Sequence, residues 1–469
     1  MPQRPPPQTR RQFLCEGARG LGALSLANVL GHSRVVAQSP SPLAARRPAF
    51  SASAKRVVFL FMEGGPSHLE TFDPKPELRR RDGQPLPQSL KDVDLAQTNT
   101  EGSRLMAPST TFRRHGQAGI EISDLFPELS QHADRLAVIR SCYHQNFIHG
   151  PALTLMNSGT ALLGHPSVGS WIVYGLGGET DRLPAFVAMT DGIWRNSNRT
   201  YGSGFLPAVY QGTYVRSDGA AIQNLTPPAL TQGPDQRRLL NQIQLWNTRY
   251  RDARPGDSRL DARLNNYELA FRMQTAAPEA IRLGDEPAAI REQYGMNQEP
   301  SRRYGTMCLM ARRLLERGVR YLHLSANGWD AHGDCPKNHR SQAQKVDRPI
   351  AALLGDLHQR GLLDETLIVW AGEFGRTPIM QGNRGRDHHP YGFSVWMAGG
   401  GIRGGQIIGS TDDLGFHAVE QRVHVNDLHA TMLSLLGLRH EALTYPFEGR
   451  DRRLTDVGGE GDLSTLLRA

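Results

Sequence analysis

RVVFLFMEGG, residues 56–65, carries the plainest signal of the fold class. Val57 to Met62 are apolar without a break. A strand with one face in water alternates apolar and polar residues. An unbroken run suits a strand covered on both faces, as in a parallel sheet between helices. The run stops at Glu63-Gly64-Gly65, where glycine lets the chain turn sharply off a strand end.

Similar runs occur at 136–139 (LAVI), 319–324 (VRYLHL), 366–371 (TLIVWA) and 393–398 (FSVWMA). Between them lie helical patterns at 304–317, 341–361 and 427–436, the second with Ile350, Leu353, Leu354 and Leu357 on one face. This alternation predicts an α/β fold with a mainly parallel sheet. Residues 234–295 are rich in Arg and Gln, carry Leu and Ala at helical spacing and show no strand pattern, so a helical insertion is expected there.

The chain has 469 residues, 39% hydrophobic and 21% charged, which supports a packed core and excludes wholesale disorder. No stretch of 18 or more apolar residues occurs, so no membrane span is expected in the mature form. The net charge is +8, but half of it lies in residues 1–37, where Arg4, Arg10, Arg11, Arg19 and Arg34 oppose Glu16 alone. The body has no basic run with interleaved aromatics, which argues against a nucleic-acid partner. Arg10-Arg11, the mildly apolar stretch 21–30 and Val35-Val36-Ala37 read as a twin-arginine export signal over 1–37. The expected place of work is then periplasmic or extracellular. A Pro-, Ser- and Ala-rich linker is expected over 38–54 and a single domain over 55–469. Cys142, Cys308 and Cys335 form no CxxC, so neither a zinc ribbon nor a disulfide scaffold is indicated, though one incidental disulfide remains open.

In open parallel sheets ligands bind beyond the carboxyl ends of the strands. The residues there are unusually rich in chemistry. Glu63 follows the first run; His144, Asn146 and His149 follow the second. Asn327, Asp330, His332 and Asp334 follow the third, and Glu373 and Arg376 the fourth. Arg386, Asp387, His388 and His389 fill what reads as the loop before the last. Mixed carboxylate and imidazole donors suit Zn, Mn or Fe, and less obviously Ca or Mg. No GxxxxGK[ST], GxGxxG or GxSxG is present, which leaves nucleotide binding and a serine elbow without support. Trp329 beside Asp330 offers a platform for a sugar ring, with core packing as the alternative.

Longer strings add a resemblance. The leader RRQFL, FLFMEGGPSHLETFDPKPEL, GWDAHGD, GEFGRTP, GRDHHPYGFSVWMAGGGIRGGQIIGSTDDLG and HVNDLHATMLSLLGL resemble the bacterial exported domain of unknown function 1501. That family distantly resembles the alkaline phosphatase and sulfatase superfamily. The resemblance implies a three-layer α/β sandwich and a hydrolase of sulfate or phosphate esters that uses a divalent metal. It places metal ligands at Glu63, Asp330, His332, Glu373 and His388 or His389, to which the Asp-His-His string adds Asp387. Phe374 departs from the histidine expected beside Glu373. The string HGPALTLMNSG resembles a nucleophile helix, but His149 stands where Ser, Thr or Cys is needed. Either His149 is then expected as nucleophile or general acid/base, or metal-bound water attacks directly, with Asn146 and Arg376 steadying an anionic ester that a glycan could carry. The altered position equally suits a non-catalytic, metal-containing binding protein of the cell envelope, for a polysaccharide or a protein partner, or a purely structural envelope protein.

Overall fold

The computed structural model describes residues 41–468 except 92, 94, 193–199, 219–220, 223–224, 226–232, 255–257 and 460. The expected export signal and the first residues of the expected linker lie outside the described residues. Leu43–Ala469 form one compact unit, distinct from Met1–Pro42.

Eleven strands bear on the site. They are β1 (Arg56–Glu63), β2 (Ala137–Tyr143), β3 (Phe186–Thr190), β4 (Thr213–Tyr214), β5 (Tyr321–Asn327) and β6 (Thr366–Ala371), then the hairpin β7 (Gly375–Gln381) and β8 (Gly385–His389), and finally β9 (Phe393–Ala398), β10 (Gln406–Ile408) and β11 (Val423–His424). All but the hairpin join one nine-stranded sheet in the order β10-β2-β9-β6-β1-β5-β3-β4, with β11 also on β2. β1 lies in the middle, pairing in parallel with β5 (Val57 to Tyr321) and β6 (Arg56 to Thr366). Among the described strands of this sheet, β9 is the antiparallel one, set against both β2 and β6. The hairpin explains it: after β6 the chain doubles back through β7 and β8 and re-enters the sheet in the opposite sense.

The apolar run of β1 is buried on both sides, as its lack of alternation requires. Val58, Leu60 and Met62 pack on one face with α5 (Glu299–Leu315) and α6 (Cys335–Gln359). Val57, Phe59 and Phe61 pack on the other with α1 (His149–Ser158), α2 (Val168–Leu176) and α7 (Val425–Leu435). The result is a three-layer α/β sandwich around a mainly parallel sheet. The Arg- and Gln-rich segment holds two long helices, which in chain order precede α5 and are described below.

Three local features differ from the sequence reading. β3 was not anticipated, because FVAMT is a short run behind a proline. Residues 386–389 are strand β8 rather than loop: the segment has no apolar residue to signal it, yet every side chain is buried by pairing with β7. Trp329 is no sugar platform, since it is fully buried against His339 and Trp370. Cys142, Cys308 and Cys335 are buried free thiols, so no disulfide forms among them. Among the described residues no helix is long and apolar enough to cross a membrane.

Candidate metal centre

The parallel strands deliver their carboxyl ends to one edge of the sheet. There the turn after β2 starts α1 at His149, the turn after β5 carries Asp330 and His332, and the hairpin after β6 carries His388. The ligating atoms of these four side chains lie within 4.8 Å of one another. His332 Nε2 is 3.0 Å and His388 Nε2 3.5 Å from Asp330 Oδ1, and His149 Nε2 is 3.3 Å from Asp330 Oδ2. His332 Nε2 and His388 Nε2 are 2.9 Å apart.

Each histidine shows its Nε2 to this point because its Nδ1 is held from behind. His149 Nδ1 donates to Glu373 Oε1 (2.7 Å), His332 Nδ1 to Gln381 Oε1 (2.7 Å), and His388 Nδ1 to the Phe147 carbonyl (2.9 Å). An imidazole that gives its one proton at Nδ1 has a lone pair at Nε2. Two such lone pairs facing each other at 2.9 Å repel unless a proton or a cation lies between them. A tetrahedron with ~2.0–2.1 Å metal–ligand bonds has vertices about 3.3 Å apart, and the separations here bracket that value. The donor set and its spacing therefore fit a divalent ion.

The electrostatics agree. Burial opposes the charge on His149, but its bonds to Asp330 and Glu373 outweigh that and lift its pKa to about 9. Burial would raise the Asp330 carboxyl; the three histidines and the Arg376 guanidinium reverse this and hold it far below the usual carboxylate range. Asp330 raises His332, while burial lowers His388. The site concentrates positive partners around one carboxylate, as a cation-ready shell does when protons stand in.

The other candidate residues are placed as follows. Glu373 is fully buried behind His149 and accepts Gly64 N–H at 3.0 and 3.1 Å, so it backs a histidine rather than joining the convergent four. Asp387 and His389 flank His388 on β8, whose pairing with β7 is irregular between Arg386 and His388, and both side chains are engaged elsewhere. Asp387 instead accepts the backbone N–H groups of Gln97 (2.7 Å) and Thr98 (2.8 Å), and His389 bonds the Phe416 carbonyl. Glu63 Oε2 accepts from Ser325 Oγ at 3.3 Å, outside the four. Asn146 sits in the turn before α1, its N–H on His144 Nδ1 at 3.0 Å. Arg376 is fully buried: it donates to the carbonyls of Gly65 (2.9 Å), Arg386 (3.1 Å) and Gly64, and to Asp330 Oδ1 (2.7 Å). It holds a carboxylate in place and has little left for an incoming anion. Phe374 stacks on His388 with ring centroids 4.6 Å apart, forming the apolar wall of the centre.

Gly64 makes the assembly possible. Its φ is +116°, and a Cβ there would lie 2.3 Å from the Asp330 backbone nitrogen. Gln381 and the Phe147 carbonyl were not anticipated from sequence. A backbone carbonyl leaves no trace in a sequence, but the hairpin register that brings Gln381 opposite Gly385 would have exposed the glutamine had β8 been recognised.

A family model described as protein of unknown function (DUF1501) matches residues 54–464. No curated protein matches the chain. Among solved structures, the PsFucS1 sulfatase from Pseudoalteromonas sp. is similar at 14% identity and a TM-score of 0.36, over 90% of this chain and 74% of that one. The zinc-complexed C-terminal periplasmic domain of EcEptC from Escherichia coli is similar at 9% identity and a TM-score of 0.36, over 86% and 88%. A protein of the alkaline phosphatase superfamily from Vibrio parahaemolyticus is similar at 9% identity and a TM-score of 0.35, over 89% and 74%.

Proposed function

The chain belongs to the DUF1501 family of proteins of unknown function, a membership that names no activity, and we propose from the centre itself that it is an exported metal-dependent hydrolase of sulfate or phosphate esters, carbohydrate-linked esters among them. The observation that carries the reading is the convergence of three histidine Nε2 atoms on Asp330, each ring fixed through its Nδ1. Imidazole-rich donors favour Zn or Mn over Ca or Mg, which prefer oxygen shells.

His149, Asp330, His332 and His388 would hold the ion. Once bound, it supplies Lewis acidity toward an ester oxygen and toward water near neutral pH. The chain's own groups do the rest. Glu373, Gln381 and the Phe147 carbonyl keep the three rings oriented. Asp330 and Glu373 offset two positive charges, and buried Arg376 adds one back, so the loaded centre is net positive and attracts an anion. α1 starts at His149 without a capping side chain on Ile148, which leaves its first amides and its positive dipole end for an anionic ligand. Phe374 limits water on one side.

One observation favours the non-catalytic alternative, a metal-containing binding protein. Four protein donors can fill a tetrahedral shell, whereas catalytic zinc sites keep one position open. A single experiment separates the readings: metal content of the chain and of Asp330→Ala, with a screen of aryl sulfates and aryl phosphates. Metal and turnover both lost in Asp330→Ala supports the hydrolase. Stoichiometric metal without turnover supports the binding protein. Metal in neither protein removes both.

A further inference from the structure

We propose that the outer face of α3 (Pro234–Asp252) docks on an anionic lipid bilayer. This inference is independent of the metal centre. α3 has 19 residues and buries none of them, yet it carries Leu239, Leu245, Trp246 and Tyr250 at 47, 46, 60 and 51% exposure. Trp246 stands out: Trp171, Trp329, Trp370 and Trp396 are all at 1% or less.

At about 100° per residue, Leu239, Trp246 and Tyr250 fall within a stripe roughly 40° wide that runs three turns. The half-buried residues Gln236, Leu240, Ile243 and Asn247 lie to one side of this stripe round the helix, and the helix packs on α4 (Ser258–Ile281), where Arg237 lies 3.8 Å over the Phe271 ring. The stripe therefore flanks the half-buried seam of the helix pair and stays exposed beside it. Arg249 and Arg238, the latter in an ion pair with Asp235, lie to the other side of it, and Arg254 lies 3.6 Å over the Tyr250 ring.

This composition selects the occupant. Trp and Tyr favour the boundary between lipid headgroups and acyl chains. Arginines beside them meet lipid phosphates, and a helix with both lies flat in that boundary. A second copy of the chain is a poorer match, because the face keeps a net positive charge: Arg238 is paired with Asp235 and Arg251 with Asp252, which leaves Arg249 and Arg254 in excess. An anionic surface neutralises them.

The test is co-sedimentation of the full chain with vesicles of phosphatidylglycerol and phosphatidylcholine in equal parts, and with phosphatidylcholine alone, at about 0.1 M salt. Binding to the mixed vesicles is expected, weaker at high salt. The double variant Leu239→Ser/Trp246→Ser should lose roughly tenfold or more in partitioning. Its circular dichroism and melting temperature should be unchanged, because neither side chain is buried. Arg238→Gln/Arg249→Gln should lose the preference for anionic vesicles. No binding by the wild type overturns the proposal, as does equal binding to both vesicle types. Undiminished binding by the Ser variant overturns it too, because attachment then runs through another surface. A wild-type dimer abolished in that variant would assign the face to a second copy instead.

Discussion

Consider Glu373→Gln. The carboxylate is fully buried and serves two donors: Gly64 N–H at 3.0 and 3.1 Å, and His149 Nδ1–H at 2.7 Å. Glutamine keeps the shape but has one acceptor oxygen. If that oxygen takes the Oε1 position it still accepts from His149 and, at 3.0 Å, from Gly64 N–H, but the amide nitrogen then lies 3.1 Å from the same Gly64 nitrogen, donor against donor. If it turns the other way, His149 loses its anchor and the other tautomer becomes competitive. Outer-shell partners of this kind typically contribute 10–100-fold in metal affinity, or about 1.4–2.7 kcal/mol. The assay is competition of the purified variant against a chromophoric chelator, with elemental mass spectrometry for stoichiometry. A loss within that range, with one binding site retained, is expected. Wild-type affinity would refute the orienting role. Complete loss, on the order of a thousandfold or more, would make Glu373 itself a ligand.

Further outcomes follow from the same geometry. Gly64→Ala should lower both the melting temperature and metal occupancy, because its Cβ would meet the Asp330 backbone at 2.3 Å; a variant that melts and loads like the wild type would show that the loop has slack. Arg376→Lys strands two or three buried carbonyls at ~1–3 kcal/mol each, so the urea midpoint should drop clearly, and an unshifted midpoint would contradict the bonding described. The buried His323, His339 and His429 are pulled by desolvation to about 3, 3 and 4. Each stays neutral in the fold but takes a proton near 6.5 when unfolded, so its contribution is present above pH 6.5 and is lost as the pH falls from there toward 3–4. At pH 5 that is roughly 2 kcal/mol per histidine. Urea unfolding at pH 7 and pH 5 should differ strongly, and equal midpoints would show that these groups are not the desolvated bases assigned here.

The sheet was legible where burial on both faces writes an apolar run, unbroken in β1 and β6 and interrupted only by Ser394 in β9. It was illegible where polar residues are buried by particular partners. GRTPIMQ and GRDHH have no apolar period, and Pro378 reads as a breaker, yet they form the ribbon that carries Arg376, Gln381 and His388. The same blindness touched the site. Asp330, His332 and His388 were visible as strand-end residues. Asp387 and His389 sit beside His388 in sequence, and no pattern there reveals that they bond instead to the Gln97 and Thr98 backbone and to the Phe416 carbonyl. The resemblance points to His149 as nucleophile or general acid/base, and only the structure adds that its Nδ1 bonds Glu373 and its Nε2 lies 3.3 Å from Asp330.

The place of β1 bears on how the molecule is made. It is the first strand of the domain, yet it pairs with Tyr321 on one side and Thr366 on the other. Such pairings are of very high contact order, and closing so large a loop is slow. A ribosome must deliver most of the chain before this strand has its neighbours on both edges, and until then its apolar run is open to wrong partners. Folding of this sheet is expected to be late and post-translational, so that a pause in synthesis before β6 leaves the core unclosed.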